Sequence, residues 1–93
     1  MKFKIPNNLA IDMCNWLGKD GIAFFKEVFK KGQDLNEAVV TCNGIQHKIY
    51  FIEGRAARIF LRMHKISSRW SELTIDRMWG EVIKKAIKIF DKK

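Results

Sequence analysis

Between His47 and Lys65 the chain reads HKIYFIEGRAARIFLRMHK, with cations and aromatic rings set among aliphatic residues. Lys48, Tyr50, Arg58, Phe60, Arg62 and His64 are the side chains whose chemistry must be traced first. Aromatic rings offer faces on which unpaired bases stack, at about 1–3 kcal/mol per base, while cations neutralise the phosphates between them. Arginine adds a planar fork that grips a phosphate through two bonds, which the point charge of lysine does not. Trp70 extends the aromatic set. Gathered on one face, these residues would bind RNA or DNA.

Other chemistry has less to build on. Cys14, Cys42 and His47 supply three potential metal ligands but lack a fourth, and their spacing is not that of a zinc site, so no metal is expected. Buried thiols and a hydrogen-bonded histidine are the simpler roles. Glu53 beside Arg55 reads as a surface charge pair. Asp12, Glu27, Glu37, Asp76 and Glu81 are scattered, with no pair that demands acid–base work. There is no glycine-rich phosphate loop, no HExxH and no nucleophile elbow, and no cofactor is expected.

The elements that must position these residues follow from periodicity and turn chemistry. Lys2–Ile5 is a possible first strand before Pro6. Residues 7–18 predict a helix capped by Asn7 or Asn8, with Leu9, Met13, Trp16 and Leu17 inward and Gly18 as its stop. Asp20 then caps a second helix over 21–31, with Ile22, Phe25, Val28 and Phe29 inward and Gly32 after it. Asn43-Gly44 predicts a tight hairpin turn, since both positions of a type I′ turn need positive φ. It pairs Cys42 with Ile45 and Val40 with His47. A second loop at Gly54-Arg55-Ala56 predicts a third strand through Ile59–Met63. One face of this meander is then apolar: Ala38, Val40, Cys42, Ile45, Ile49, Phe51, Ile59, Leu61 and Met63, with His47 among them.

The other face sets Tyr50 opposite Phe60, Lys48 opposite Arg62, Ile52 opposite Arg58 and Gln46 opposite His64. A last helix, capped by Thr74 and reaching about Phe90, carries the stripe Ile75, Met78, Trp79, Val82, Ile83, Ala86 and Phe90. If it lies across the Tyr50–Phe60 face, those rings are core, and Lys48 and Arg62 reach out to the rim. If it does not, the face is open to a ligand. The expected fold is α+β, (β)ααβββα: a three-stranded antiparallel meander, two N-terminal helices on one face, and a long C-terminal amphipathic helix.

The chain has 93 residues, which suits one domain over 1–93. Hydrophobic residues make up 47% and charged residues 30%, a globular balance. Lys and Arg exceed Asp and Glu by 18 to 10, giving a net charge of +8 that attracts polyanions or acidic protein faces. Two cysteines cannot build a disulfide framework, and MKFKIPNN has no apolar signal-peptide core. No apolar run is long enough to span a membrane, so a cytoplasmic protein without a membrane partner is expected.

His47-Lys48-Ile49-Tyr50-Phe51, the run Ile59–Met63 ending at His64-Lys65, and Trp70 together resemble the RelE/HigB-like toxin superfamily, small basic ribosome-associated ribonucleases. The resemblance implies mRNA cleavage, with Lys48 and Lys65 steadying the scissile phosphate, His64 or Arg62 assisting, Trp70 stacking on a base, and a cognate antitoxin as partner. Cations beside a phosphate stabilise developing negative charge, and imidazole in general titrates near neutral pH. Lysines stand where the family has arginines, and Trp70 stands where it has tyrosine.

Two functions follow. One is RNA or DNA binding through the basic–aromatic sheet face, with toxin-like cleavage as its sharpest form. The other is a phage- or mobile-element-type inhibitor or adaptor that binds a host nucleoprotein or nuclease and has no catalysis of its own.

Overall fold

Pro6, with φ −62°, leads into helix α1 (Asn7–Lys30) in the computed structural model, which describes residues 4–92. Asn7 and Asn8 already lie within the helix, and no side chain caps its start. The two separate N-terminal helices expected from the sequence are one element, kinked at Gly18. That residue takes φ 69° and ψ −179°, a region open essentially to glycine. The helical dihedrals break there and resume, so Asp20 caps nothing. Leu9, Ala10, Met13, Cys14, Ile22, Phe25 and Val28 face the core. The predicted strand at Lys2–Ile5 lies partly outside the described residues, and Lys4 and Ile5 form no strand.

The hairpin forms as its turn chemistry requires. Strands β1 (Val39–Cys42) and β2 (Ile45–Lys48) pair antiparallel, Cys42 with Ile45 and Val40 with His47. Asn43 (φ 53°) and Gly44 (φ 78°) supply the positive φ values. Among the described residues the sheet has two strands. After β2 a 3-10 turn, Ile49–Phe51, leads directly into helix α2 (Glu53–Met63).

Helix α2 overturns the predicted third strand and with it the three-stranded meander. Arg58 to Met63 alternates convincingly, but the burial follows the helical period: Gly54, Ala57, Arg58 and Leu61 are inward, at spacings of three, one and three residues. Ala56-Ala57 and the unbranched residues around them favour helix, and Ala is depleted in strands. Of the apolar face predicted for the meander, Ala38, Ile49 and Leu61 are buried. Ile45 at the hairpin turn and Phe51 at the end of the 3-10 turn are exposed, and so are Ile59 and Met63, which α2 turns away from the core.

A 3-10 turn, Ser67–Arg69, reverses the chain into helix α3 (Glu72–Asp91). Ser67 is fully buried, and its hydroxyl donates to the Leu61 carbonyl, one of the acceptors left open at the end of α2. The cap of α3 is Ser71, whose Oγ accepts from the Thr74 N–H at 3.1 Å; Thr74 is inside the helix. Helix α3 is the spine of the fold. It packs along α1 and against α2, burying Ile75, Trp79, Val82, Ile83 and Ala86. Among the described residues the architecture is three α-helices with a side hairpin. Among the described residues no helix is long and apolar enough to cross a membrane.

Candidate functional site

Helix α2 carries Arg58, Phe60 and Arg62 of the residues the sequence singled out, with Tyr50 just before it and His64 just after, and it presents two faces. The inward face is fitted to α3 at close range. A Cβ added to Gly54 would stand 2.9 Å from Trp79 Cη2 and 3.1 Å from the Ile49 carbonyl oxygen. Gly54 is therefore a close-packing glycine, not the turn residue of a second hairpin. Beside it Arg58 is buried at 8% exposure, with its guanidinium 3.8 Å above the centre of the Tyr50 ring and 5.9 Å from that of Trp79. Its Nη1 donates to the Tyr50 carbonyl at 3.0 Å, and its Nε lies 3.6 Å from Asp76, whose carboxylate also accepts from the Tyr50 hydroxyl at 3.1 Å. A buried cation needs such pairing, and here it has a ring, a carbonyl and a carboxylate.

The outward face is a second apolar stripe. Ile52, Ala56, Ile59 and Met63 recur at spacings of four, three and four residues and are all exposed, Met63 at 81%. Trp16 of α1, 46% exposed, walls one side, with its ring 5.0 Å from that of Phe60. Trp16, Ala56, Ile59, Phe60, Met63 and His64 line a groove of about 490 Å³.

The predicted contact residues do not form one surface. Tyr50 and Arg58 meet on the inward side. Phe60 and His64 meet at the outward groove, their rings 5.7 Å apart. Lys48 reaches Glu37 at 3.8 Å, and Arg62 Nε donates to both Glu72 oxygens at 2.8 and 2.9 Å. Trp70 is partly buried against the core. The Tyr50–Phe60 platform is absent because the residues between them are helical: α3 sends Trp79 against Tyr50, and α1 sends Trp16 against Phe60. Lys48 precedes and Lys65 follows α2, whose eleven residues span about 16 Å, so the two lysines flank a helix instead of one phosphate.

His64 is held at both nitrogens. Its Nδ1 accepts the Ile66 N–H at 3.1 Å, so the ring proton sits on Nε2, which donates to Asp12 at 2.7 Å. Neither nitrogen is left for proton transfer in this arrangement. His47 Nε2 donates to both Glu53 oxygens at 2.9 and 3.1 Å and ties the hairpin to the first turn of α2. Glu53 thus pairs with His47 and not with its neighbour Arg55. Carboxylate at that position also suits the positive end of the helix dipole. Cys14 is buried, Cys42 is exposed, and both are free thiols. Among the described residues no set of three His, Cys, Asp or Glu side chains is placed to hold a metal ion.

Sequence reasoning placed Trp16, Ile59 and Met63 inward, Ile52 on the contact face of a sheet, and Arg55 and Ala56 in a loop; all six are exposed. A signal for them exists: two interleaved stripes at helical spacing, 54/57/61 and 52/56/59/63, occupy one stretch. No known protein family, curated protein or solved structure matches the chain. These comparisons do not bear on the resemblance to the RelE/HigB-like toxins; the run Ile59–Met63, read there as a strand, is helical.

Proposed function

We propose that this chain is a small, non-catalytic binding domain of the inhibitor or adaptor type, acting by covering a surface of another protein. The observation that carries the reading is the outward stripe of α2. A domain of this size needs its apolar side chains for its own core, yet it leaves Ala56, Ile59 and Met63 in register on one helix, with Ile52 at its cap, beside an exposed tryptophan. The side chains best suited to chemistry support it from the other side: Lys48, Arg62 and His64 each face a carboxylate of the chain itself. A net charge of +8 favours a partner with an acidic surface and speeds the encounter. Two unpaired cysteines suit a reducing compartment such as the cytosol, which belongs to the same proposal.

RNA or DNA binding is the competing reading, and it now rests on α3. Lys88 on that helix and Lys92 just past its end are exposed, and among the described residues neither forms an ion pair. Nuclease-treated pull-down with wild type and Met63→Asp, alongside a salt titration against single-stranded RNA and DNA, separates the two. The protein-binding reading expects one dominant protein retained by the wild type and lost by the variant. Nucleic-acid affinity falling steeply with salt, unaffected by Met63→Asp but reduced by Lys88→Ala, would favour the competitor.

A further inference from the structure

We infer that the outward face of α2, with Trp16, receives an amphipathic helix of the partner protein, and that this helix carries carboxylates along the edge that meets Arg55. The inference rests on the protein-binding reading above and names what the partner must present. Ile52, Ala56, Ile59 and Met63 form a single row along α2, and the Trp16 and Phe60 rings raise a wall beside it. A row and a wall make a groove that accepts the ridge of another helix, with apolar anchors one turn apart.

Charge fixes the edge. At about 100° per residue, Arg55 and Arg62 fall on the same flank of α2, roughly 80° from the apolar row. Arg55 has no ion pair among the described residues. Arg62 is held by Glu72, whose side chain is 71% exposed, so an incoming carboxylate exchanges with it at little cost. The flank offers one free guanidinium and one that is readily exchanged, and acidic side chains are their complement. A second copy of the chain fits poorly. Antiparallel pairing of two α2 helices sets these arginines against their own counterparts, and either pairing opposes two chains of net charge +8. Nucleic-acid bases would find rings only at the Trp16–Phe60 wall and none along the aliphatic row, which suits an apolar helix ridge better than a run of stacked bases.

The test is selection of a display library of amphipathic helices, with one edge randomised, against the whole chain. The selected helices are then measured on wild type, Met63→Asp and Arg55→Glu. Expected are Asp and Glu enriched on one edge, and binding lost in Met63→Asp while its melting temperature stays at the wild-type value. Arg55→Glu should weaken binding about tenfold or more and regain it for edge-lysine helices. Helices that bind with no acidic bias, yet still fail on Met63→Asp, overturn this inference and leave the protein-binding reading standing. A dimer in sedimentation that Met63→Asp dissolves overturns it in favour of self-association. No helix selected, together with salt-steep RNA binding indifferent to Met63→Asp, overturns both.

Discussion

The inward and outward faces of helix α2 are built from similar residue types, and they serve opposite ends. Inward, Ala57 and Leu61 are wholly buried, and Gly54 brings α2 within van der Waals contact of Trp79. Outward, Ala56, Ile59 and Met63 meet solvent. The arginines divide the same way. Arg58 is sealed against Tyr50 and tied to backbone, while Arg62 sits in the open against Glu72. Residue type therefore says little about role in this helix. What separates structure from prospective function is the rotational position, one face packed against α3 and the other bordered by Trp16 but exposed along its aliphatic row.

That contrast can be broken from either side by equilibrium denaturation. Leu61→Ala should cost the most, about 2–5 kcal/mol, because a fully buried leucine leaves a cavity. Gly54→Ala should destabilise by about 1–3 kcal/mol, since the added methyl collides with a rigid indole and a carbonyl. The gain in helix propensity, about 1 kcal/mol, works against that cost and should not cancel it. An unchanged or higher denaturation midpoint would mean that α2 and α3 are less closely fitted than described. Arg58→Lys should cost about 1–2 kcal/mol, because an ammonium gives up the planar stack on Tyr50 and the aimed Nη1 bond.

The outward substitutions should be nearly silent. Arg62→Lys trades one exposed ion pair for another and should stay within about 0.5 kcal/mol. Met63→Ala should change stability least of all, within about 0.5 kcal/mol, at 81% exposure. If Met63→Ala instead unfolded the chain as Leu61→Ala does, the two faces would not differ, and the reading of the outer one as a binding surface would lose its basis.

Much of the chain was legible residue by residue. The Asn43-Gly44 turn set the hairpin and its register because positive φ is a local requirement that few residues meet. The stripe of α3 was equally plain, since a long run at helical spacing has one reading. Residues 53–63 were not legible, for a physical reason. Alternation of Arg58, Phe60 and Arg62 with Ile59, Leu61 and Met63 satisfies a strand's period over six residues, while 54, 57 and 61 satisfy a helix's period over eight. Gly54 reads as a turn residue in the sequence, whereas its missing Cβ serves packing against Trp79. The error carried directly into the site: the Tyr50–Phe60 platform existed only in the strand register.

The sequence by itself determined the charge of +8, the hairpin turn, the apolar spine of the last helix, and the presence of cations and rings between Lys48 and Trp70. Those are properties of residues and of short-range geometry. Only the tertiary structure decided which of those cations and rings are enclosed and which are presented. Arg58 is inside because Trp79 and Tyr50 close over it, and Met63 is outside because α2 turns its side chain away from α3 and the 3-10 turns on which the helix packs. A side chain's exposure depends on which distant elements reach it, and that is a matter of long-range packing which period and composition do not encode.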